Sequence, residues 1–142
     1  QVVEWTAKAG IKVKGFFMMG HPLETEETMK ETINFAKELP LTNAHVTFVT
    51  PLPGSELFRT ANKYGKFNSD WNKMNMWTPV FVPNGLTEEI LQKYKKKFFR
   101  EFYLRPRIVF EYLSIIRYPR QLFSILKGFF TLMASLIKTR SE

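Results

Sequence analysis

Two kinds of hydrophobic periodicity alternate along this chain and set out its elements. Val2 to Ala9 has the spacing of the closing turns of a helix, and Gly10 follows at the position where a left-handed residue ends a helix cheaply. From roughly Ile11 to Met19 the pattern changes to a nearly continuous apolar run, as expected of a parallel strand buried on both faces. Gly20-His21-Pro22 punctuates it. Thr25 can cap the next helix, with Glu26 and Glu27 set against its positive end. Met29, Ile33, Ala36 and Leu39 then recur at helical spacing until Pro40 stops them.

Ala44 to Thr50 reads as a second strand, rich in β-branched and aromatic residues. Pro51-Leu52-Pro53-Gly54 must leave the sheet, because proline has no amide proton for the ladder. Ser55 is placed to cap a short helix through Tyr64, closed by Gly65. The order strand, helix, strand, helix with short connections predicts a right-handed βαβ unit in a parallel sheet. Lys66 to Gly85, with Trp71, Trp77, Pro79 and Pro83, is expected to be irregular and to cover the end of the core.

From Leu86 the pattern is helical. Thr87 caps, and Ile90, Leu91, Tyr94, Phe98, Phe102 and Tyr103 form an apolar face opposite Lys93, Lys96, Lys97 and Arg100. Pro106 suits the first turn of a further helix carrying Ile108, Val109, Tyr112, Leu113 and Ile116. A last one is expected over Gln121 to Ile137, too short for the ~20 apolar residues of a spanning helix and interrupted by Lys127. The chain therefore reads as two parts: residues 1–85, βα units with a covering loop, and residues 86–142, a basic amphipathic helical extension.

Charge separates the same two parts. Residues 1–90 hold 9 of the 21 Lys and Arg but 10 of the 13 Asp and Glu, leaving 12 and 3 for residues 91–142. An anionic partner is thus a partner of the tail, and Arg105, Arg107, Arg117, Arg120, Lys127, Lys138 and Arg140 set among aliphatic residues suit an anionic membrane surface over residues 105–140. Nucleic acid is not expected, because no recognised binding pattern accompanies the charge. The chain has 142 residues and no cysteine. That excludes disulfides, cysteine metal sites and Cys nucleophiles, and with His21 and His45 the only histidines a self-contained metal site is not expected. With no signal-like start, the expected location is cytoplasmic, peripheral to the membrane where the tail engages it. Two parallel strands need neighbours that this sequence does not supply, so the chain reads as a fragment of a longer one.

His21, His45, Glu24 and Glu26 are the acid–base candidates. A histidine beside a turn is more often structural than catalytic, His45 opens a strand, and the glutamates suit a turn and a solvated helix face.

GIKVKGFFMMGHPLETEETMKETINFAKEL, HVTFVTPLPGSELF, Asp70-Trp71 and FFREFYLRPR together resemble the C-terminal half of radical S-adenosylmethionine enzymes. Within that superfamily the similarity is to the cobalamin-binding group of Fe–S oxidoreductases. The resemblance implies an α/β fold in which this chain is a fragment of a (βα)6 partial TIM barrel, supplying about two βα units, the fifth and sixth, followed by C-terminal amphipathic helices. It implies that Phe17, Met18, Met19 and Gly20 lie against the adenine and ribose of S-adenosylmethionine. Pro22, Glu24 and Thr25 would shape the turn beside them, and Thr50, Pro51 and Leu52 would contribute adenine contacts.

The family's 4Fe–4S cluster is held by a C-x-x-x-C-x-x-C motif that this chain lacks, so the chain alone would be inactive. The cluster, S-adenosylmethionine and cobalamin would act in a parent oxidoreductase or methyltransferase. The implied partners are the remaining N-terminal half of the parent and, for the fragment alone, a second copy through the exposed core. The competing reading is a non-catalytic α/β module whose helical arm docks on a membrane surface or a partner.

Overall fold

In the computed structural model, which describes residues 1–114, both periodicities become the elements they predict. Helix α1 (Val2–Lys8) ends before Gly10, whose φ of 78° is the left-handed conformation expected there. Strand β1 (Lys14–Met19) leads to helix α2 (Glu26–Glu38), and strand β2 (Asn43–Phe48) leads to helix α3 (Glu56–Tyr64). β1 and β2 pair in parallel, with Phe16 opposite His45 and Met18 opposite Thr47. Helix α4 spans Glu88–Tyr103. The chain divides into two compact units after Arg105; helix α5 (Pro106–Ser114), which begins at the predicted proline, belongs to the second and is described by itself.

One face of the β1–β2 sheet carries the core. Met19, Ala44, Val46 and Phe48 are buried, as are Met29, Ile33 and Ala36 of α2 and Leu91, Tyr94, Phe98 and Phe102 of α4. These residues follow the predicted stripes, and each large apolar side chain buried there contributes about 1.5–3 kcal/mol. A Lys37–Glu101 ion pair at 2.8 Å joins α2 to α4. Arg105 Nη1 donates to the Lys37 carbonyl at the C-terminal end of α2, a favourable place for a cation.

The opposite face is open, and the neighbours that a strand buried on both sides needs are not among the described residues. Phe16 and Met18 are 73% and 65% exposed, alternating with the covered Phe17 and Met19. The run of apolar residues concealed this alternation, because both faces of β1 carry the same residue types. The strand also begins later than predicted, with Ile11 outside it and exposed.

The two edges of the sheet differ. Amides and carbonyls of Ala44, Val46 and Phe48 point away from β1. At Ala44 the Tyr103 hydroxyl meets both groups: it accepts from the amide at 3.2 Å, and its single proton is shared between the carbonyl at 2.8 Å and Asn43 Oδ1 at 2.6 Å. At Phe48 the amide donates to the Met76 carbonyl at 3.0 Å. The outer edge of β2 is thereby closed at both ends. On β1 the corresponding groups of Lys14, Phe16 and Met18 meet no partner among the described residues.

Lys66 to Gly85 is more ordered than predicted. Strands β3 (Gly65–Phe67) and β4 (Phe81–Pro83) pair antiparallel and a 3-10 turn spans Trp71–Lys73. Three-residue strands, one ending in proline, leave too short a pattern to read. Gly65 does not close α3 in a left-handed conformation: its φ of 173° is extended, and a Cβ there would lie 2.1 Å from the Val82 carbonyl oxygen. Close strand approach demands the glycine.

Among the described residues no helix is long and apolar enough to cross a membrane. The predicted helix over 121–137 and the basic residues from Arg117 onward lie outside the described residues.

Candidate functional site

The carboxyl ends of β1 and β2 lie side by side, where α/β folds place their ligands. After Met19 the chain turns at Gly20, buried and left-handed with φ 84°. A non-glycine residue would be strained there. The Glu24 carboxylate reaches back to accept from the amides of Gly20 and His21, the second at 3.2 Å, while the Glu24 amide donates to the His21 carbonyl at 3.0 Å. Between them Leu23 holds a positive φ of 68° with its side chain 80% exposed. Burial is the largest influence on Glu24, and it holds the carboxyl above its ordinary value of 4.5 despite the two amide hydrogen bonds that favour the charged form.

Thr25 then starts α2 with a reciprocal cap: its hydroxyl accepts from the Thr28 amide and the Thr28 hydroxyl accepts from the Thr25 amide. The polar atoms of this turn are thus largely committed to one another. His21 is exposed, with Nδ1 2.9 Å from the Pro22 carbonyl. Glu26 accepts from the Tyr94 hydroxyl at 2.8 Å, which ties α2 to α4 rather than leaving the carboxylate on a solvated face.

At the end of β2 the Thr50 hydroxyl lies 3.4 Å from the carbonyls of Phe48 and Asn75. Pro51 is buried, whereas Leu52 is 55% exposed and its carbonyl accepts from the Ser55 hydroxyl that also caps α3.

The nine residues implied as cofactor contacts fall into two groups. Phe17 faces the helix-covered side, its ring 5.2 Å from that of Phe98, and Met19, Gly20 and Pro51 are buried. Met18, Pro22, Thr25, Thr50 and Leu52 keep some or much of their surface open. Beside Met18 the open sheet face holds three rings that sequence reasoning did not bring together: Phe16, His45 and Trp77. The His45 ring centroid is 6.1 Å from Phe16 and 5.1 Å from Trp77, edge-on to the latter.

Trp77 is fixed from behind. Its amide donates to Asn75 Oδ1 and its carbonyl accepts from Lys95 Nζ at 3.0 Å, with that ammonium 4.6 Å from the Phe48 ring centroid. Burial lowers the Lys95 pKa. The alternation of His45 and Thr47 with Ala44, Val46 and Phe48 is the signal that could have assigned His45 to the open face. Nothing in sequence signalled that Trp77 would return to it. Among the described residues no three His, Asp or Glu side chains gather as a metal site would require.

No protein-family model matches the chain. It is 34% identical over 108 residues to an uncharacterized methyltransferase of Pyrococcus horikoshii, covering 75% of this chain and 24% of that protein. It is 24% identical over 140 residues to the bacteriochlorophyllide d C-8(2)-methyltransferase of Chlorobaculum tepidum, covering 91% and 31%. It is 29% identical over 102 residues to the anaerobic magnesium-protoporphyrin IX monomethyl ester cyclase of Rubrivivax gelatinosus, covering 68% and 18%. The chain thus spans less than a third of the length of each of these relatives.

Proposed function

We propose that this chain is part of a radical S-adenosylmethionine enzyme, a methyltransferase or oxidoreductase with cobalamin bound elsewhere in the longer protein. Its β1 and β2 would be neighbouring strands of a (βα)6 partial barrel. The observation that carries the reading is the asymmetry of the strand pair. A parallel pair with one covered face is incomplete by itself, and with β2 closed by Tyr103 and Met76, further strands can add only beyond β1. Similarity to methyltransferases and a cyclase three or more times longer supports it. In isolation, a second copy of the chain would compete for the same open edge.

On this reading the strand-end turns form one wall of the S-adenosylmethionine site. Exposed Met18 and Leu52, with the Thr50 hydroxyl between strand end and loop, fit the apolar and hydrogen-bonding needs of an adenine. Phe17, Met19, Gly20 and Pro51 would back that wall, and Pro22 and Thr25 would hold its turn. When bound, S-adenosylmethionine supplies the methyl group or the 5′-deoxyadenosyl radical. The chain contains no cysteine, so cluster ligands must come from elsewhere in the longer protein. Residues 1–85 would be barrel and residues 86–142 a helical extension able to rest on an anionic membrane over 105–140. The substrate would be hydrophobic, as the names of the tetrapyrrole-directed relatives suggest.

The test is to express the longer protein without oxygen, reconstitute its cluster, reduce it and assay 5′-deoxyadenosine and S-adenosylhomocysteine. Formation of either is expected; absence of both overturns the proposal. Flotation of the chain with anionic liposomes, against residues 1–104 alone, checks the membrane reading: loss of binding on truncation supports it.

A further inference from the structure

The loop between β3 and β4 is well bonded to itself and lightly attached to the rest. From Asn68 to Thr78 no side chain is buried. Within this strap Asp70 Oδ1 accepts from the Asn72 amide at 3.0 Å, and Asn75 Oδ1 accepts from the Trp77 and Thr78 amides at 2.9 Å each. At its base the Asn68 amide donates to the Val80 carbonyl at 2.8 Å, where Pro79 and Val80 are buried. A segment that buries no side chain and carries its own bonds can leave the body as a unit at little cost.

Three consecutive carbonyls of the strap meet the body. The Asn75 carbonyl lies 3.4 Å from the Thr50 hydroxyl, the Met76 carbonyl accepts from the Phe48 amide at 3.0 Å, and the Trp77 carbonyl accepts from Lys95 Nζ at 3.0 Å. Residues 75–77 thus run down the outer edge of β2, from Thr50 past Phe48 to His45, whose ring meets Trp77 edge-on. The charged tether among the three is Lys95. Its ammonium lies 4.6 Å from the Phe48 ring centroid and 5.3 Å from that of Trp77, and makes no other hydrogen bond among the described residues.

We infer that residues 68–78 are a hinged lid at the carboxyl end of β2, swinging about the Asn68–Val80 contact, and that Lys95 of α4 is the positioning residue that latches it; the inference rests on the cofactor reading above. Thr50 links the lid to that site, because the Asn75 carbonyl engages the hydroxyl that the wall would offer an adenine. When latched, the lid also sets the exposed Trp77 ring at the border of the open sheet face, so one movement changes both places. The latch has opposing contributions. The hydrogen bond and the two aromatic rings favour the ammonium in place, whereas burial lowers the Lys95 pKa and return of the charge to water favours release. Lids of this kind limit how fast a ligand enters and leaves.

Amide hydrogen exchange of the 142-residue chain tests the hinge. Phe48 and Val49 are neighbours whose amides leave β2 on opposite sides, the first bonded to the strap and the second to the Met19 carbonyl at 2.8 Å. After correction for intrinsic rates, Phe48 is expected to exchange faster than Val49. Lys95→Met should speed Phe48 about tenfold and leave Val49 unchanged, which also shows that the variant folds, and Lys95→Arg should restore the slower rate. Equal exchange at the two amides, or an equal response of both to Lys95→Met, overturns the inference. Stopped-flow binding of S-adenosylmethionine to the longer protein, followed by tryptophan fluorescence, tests the lid. Lys95→Met should raise association and dissociation rates together, about tenfold, with little change in affinity, whereas a merely structural defect would weaken affinity. Unaltered rates overturn this inference alone; failure of the unsubstituted longer protein to bind S-adenosylmethionine sinks the cofactor reading as well.

Discussion

Glu24 shows how a single side chain defines the turn after β1. Its carboxylate sits where a ligand anion could otherwise meet the Gly20 and His21 amides, so the turn is saturated from within. Removing it by Glu24→Ala leaves two amides without their acceptor in a partly buried place, and denaturant unfolding should show a loss of about 1–3 kcal/mol. The pH response has a definite sign. Because burial raises the folded pKa above the unfolded value near 4.5, the ionised carboxylate is the less favoured form in the folded protein. The contribution of Glu24 to stability is therefore complete below pH 4.5 and declines as pH rises through the higher folded value. Glu101 works the other way, its pKa lowered first by the hydrogen bond from Lys37, with stability present above 4.5 and lost on acidification. Comparing Glu24→Gln with the parent chain across this window isolates the Glu24 share: their stability difference should change with pH, and a constant difference would refute the assignment.

At the scale of elements, the sheet edge is governed by a helix. Tyr103 lies in the last turn of α4; its hydroxyl accepts from the Ala44 amide and shares its one proton between the Ala44 carbonyl and Asn43 Oδ1, 2.6 Å away. A tyrosine on an apolar helical face reads from sequence as packing, and its ring does stack on Phe99. The hydroxyl is the part that periodicity cannot interpret. Tyr103→Phe preserves the ring while stripping both groups of Ala44 of a partner, so thermal or chemical unfolding should register a loss of about 1–3 kcal/mol. Water reaching the edge would hold the loss to the lower end. Asn43→Ala alone should cost less, because the Ala44 bonds survive it.

For the whole molecule, the parts legible in sequence are those fixed by local rules. Thr25, Ser55 and Thr87 each cap the predicted helix, and the stripes Met29-Ile33-Ala36 and Leu91-Tyr94-Phe98-Phe102 each form the buried face. Hidden parts depend on distant residues. The exposure of Phe16 and Met18 reflects which neighbours β1 lacks, and Trp77 reaches His45 across a loop that no periodicity describes. The site divides likewise: motifs located the strand ends, while the open face emerged only from the register of β1 against β2.

That closure of β2 by Tyr103 also has a dimension in time. Ala44 and the hydroxyl that covers it are 59 residues apart. At ordinary rates of synthesis roughly 3–12 s separate their emergence, so β2 is made long before its guard exists. During that interval an unprotected strand is free to recruit foreign partners. Ribosome-held chains ending before Tyr103 should therefore bind holding chaperones more strongly than chains extended beyond it by the same exposed length. Equal capture at both lengths would show that the edge is shielded by some other means during synthesis.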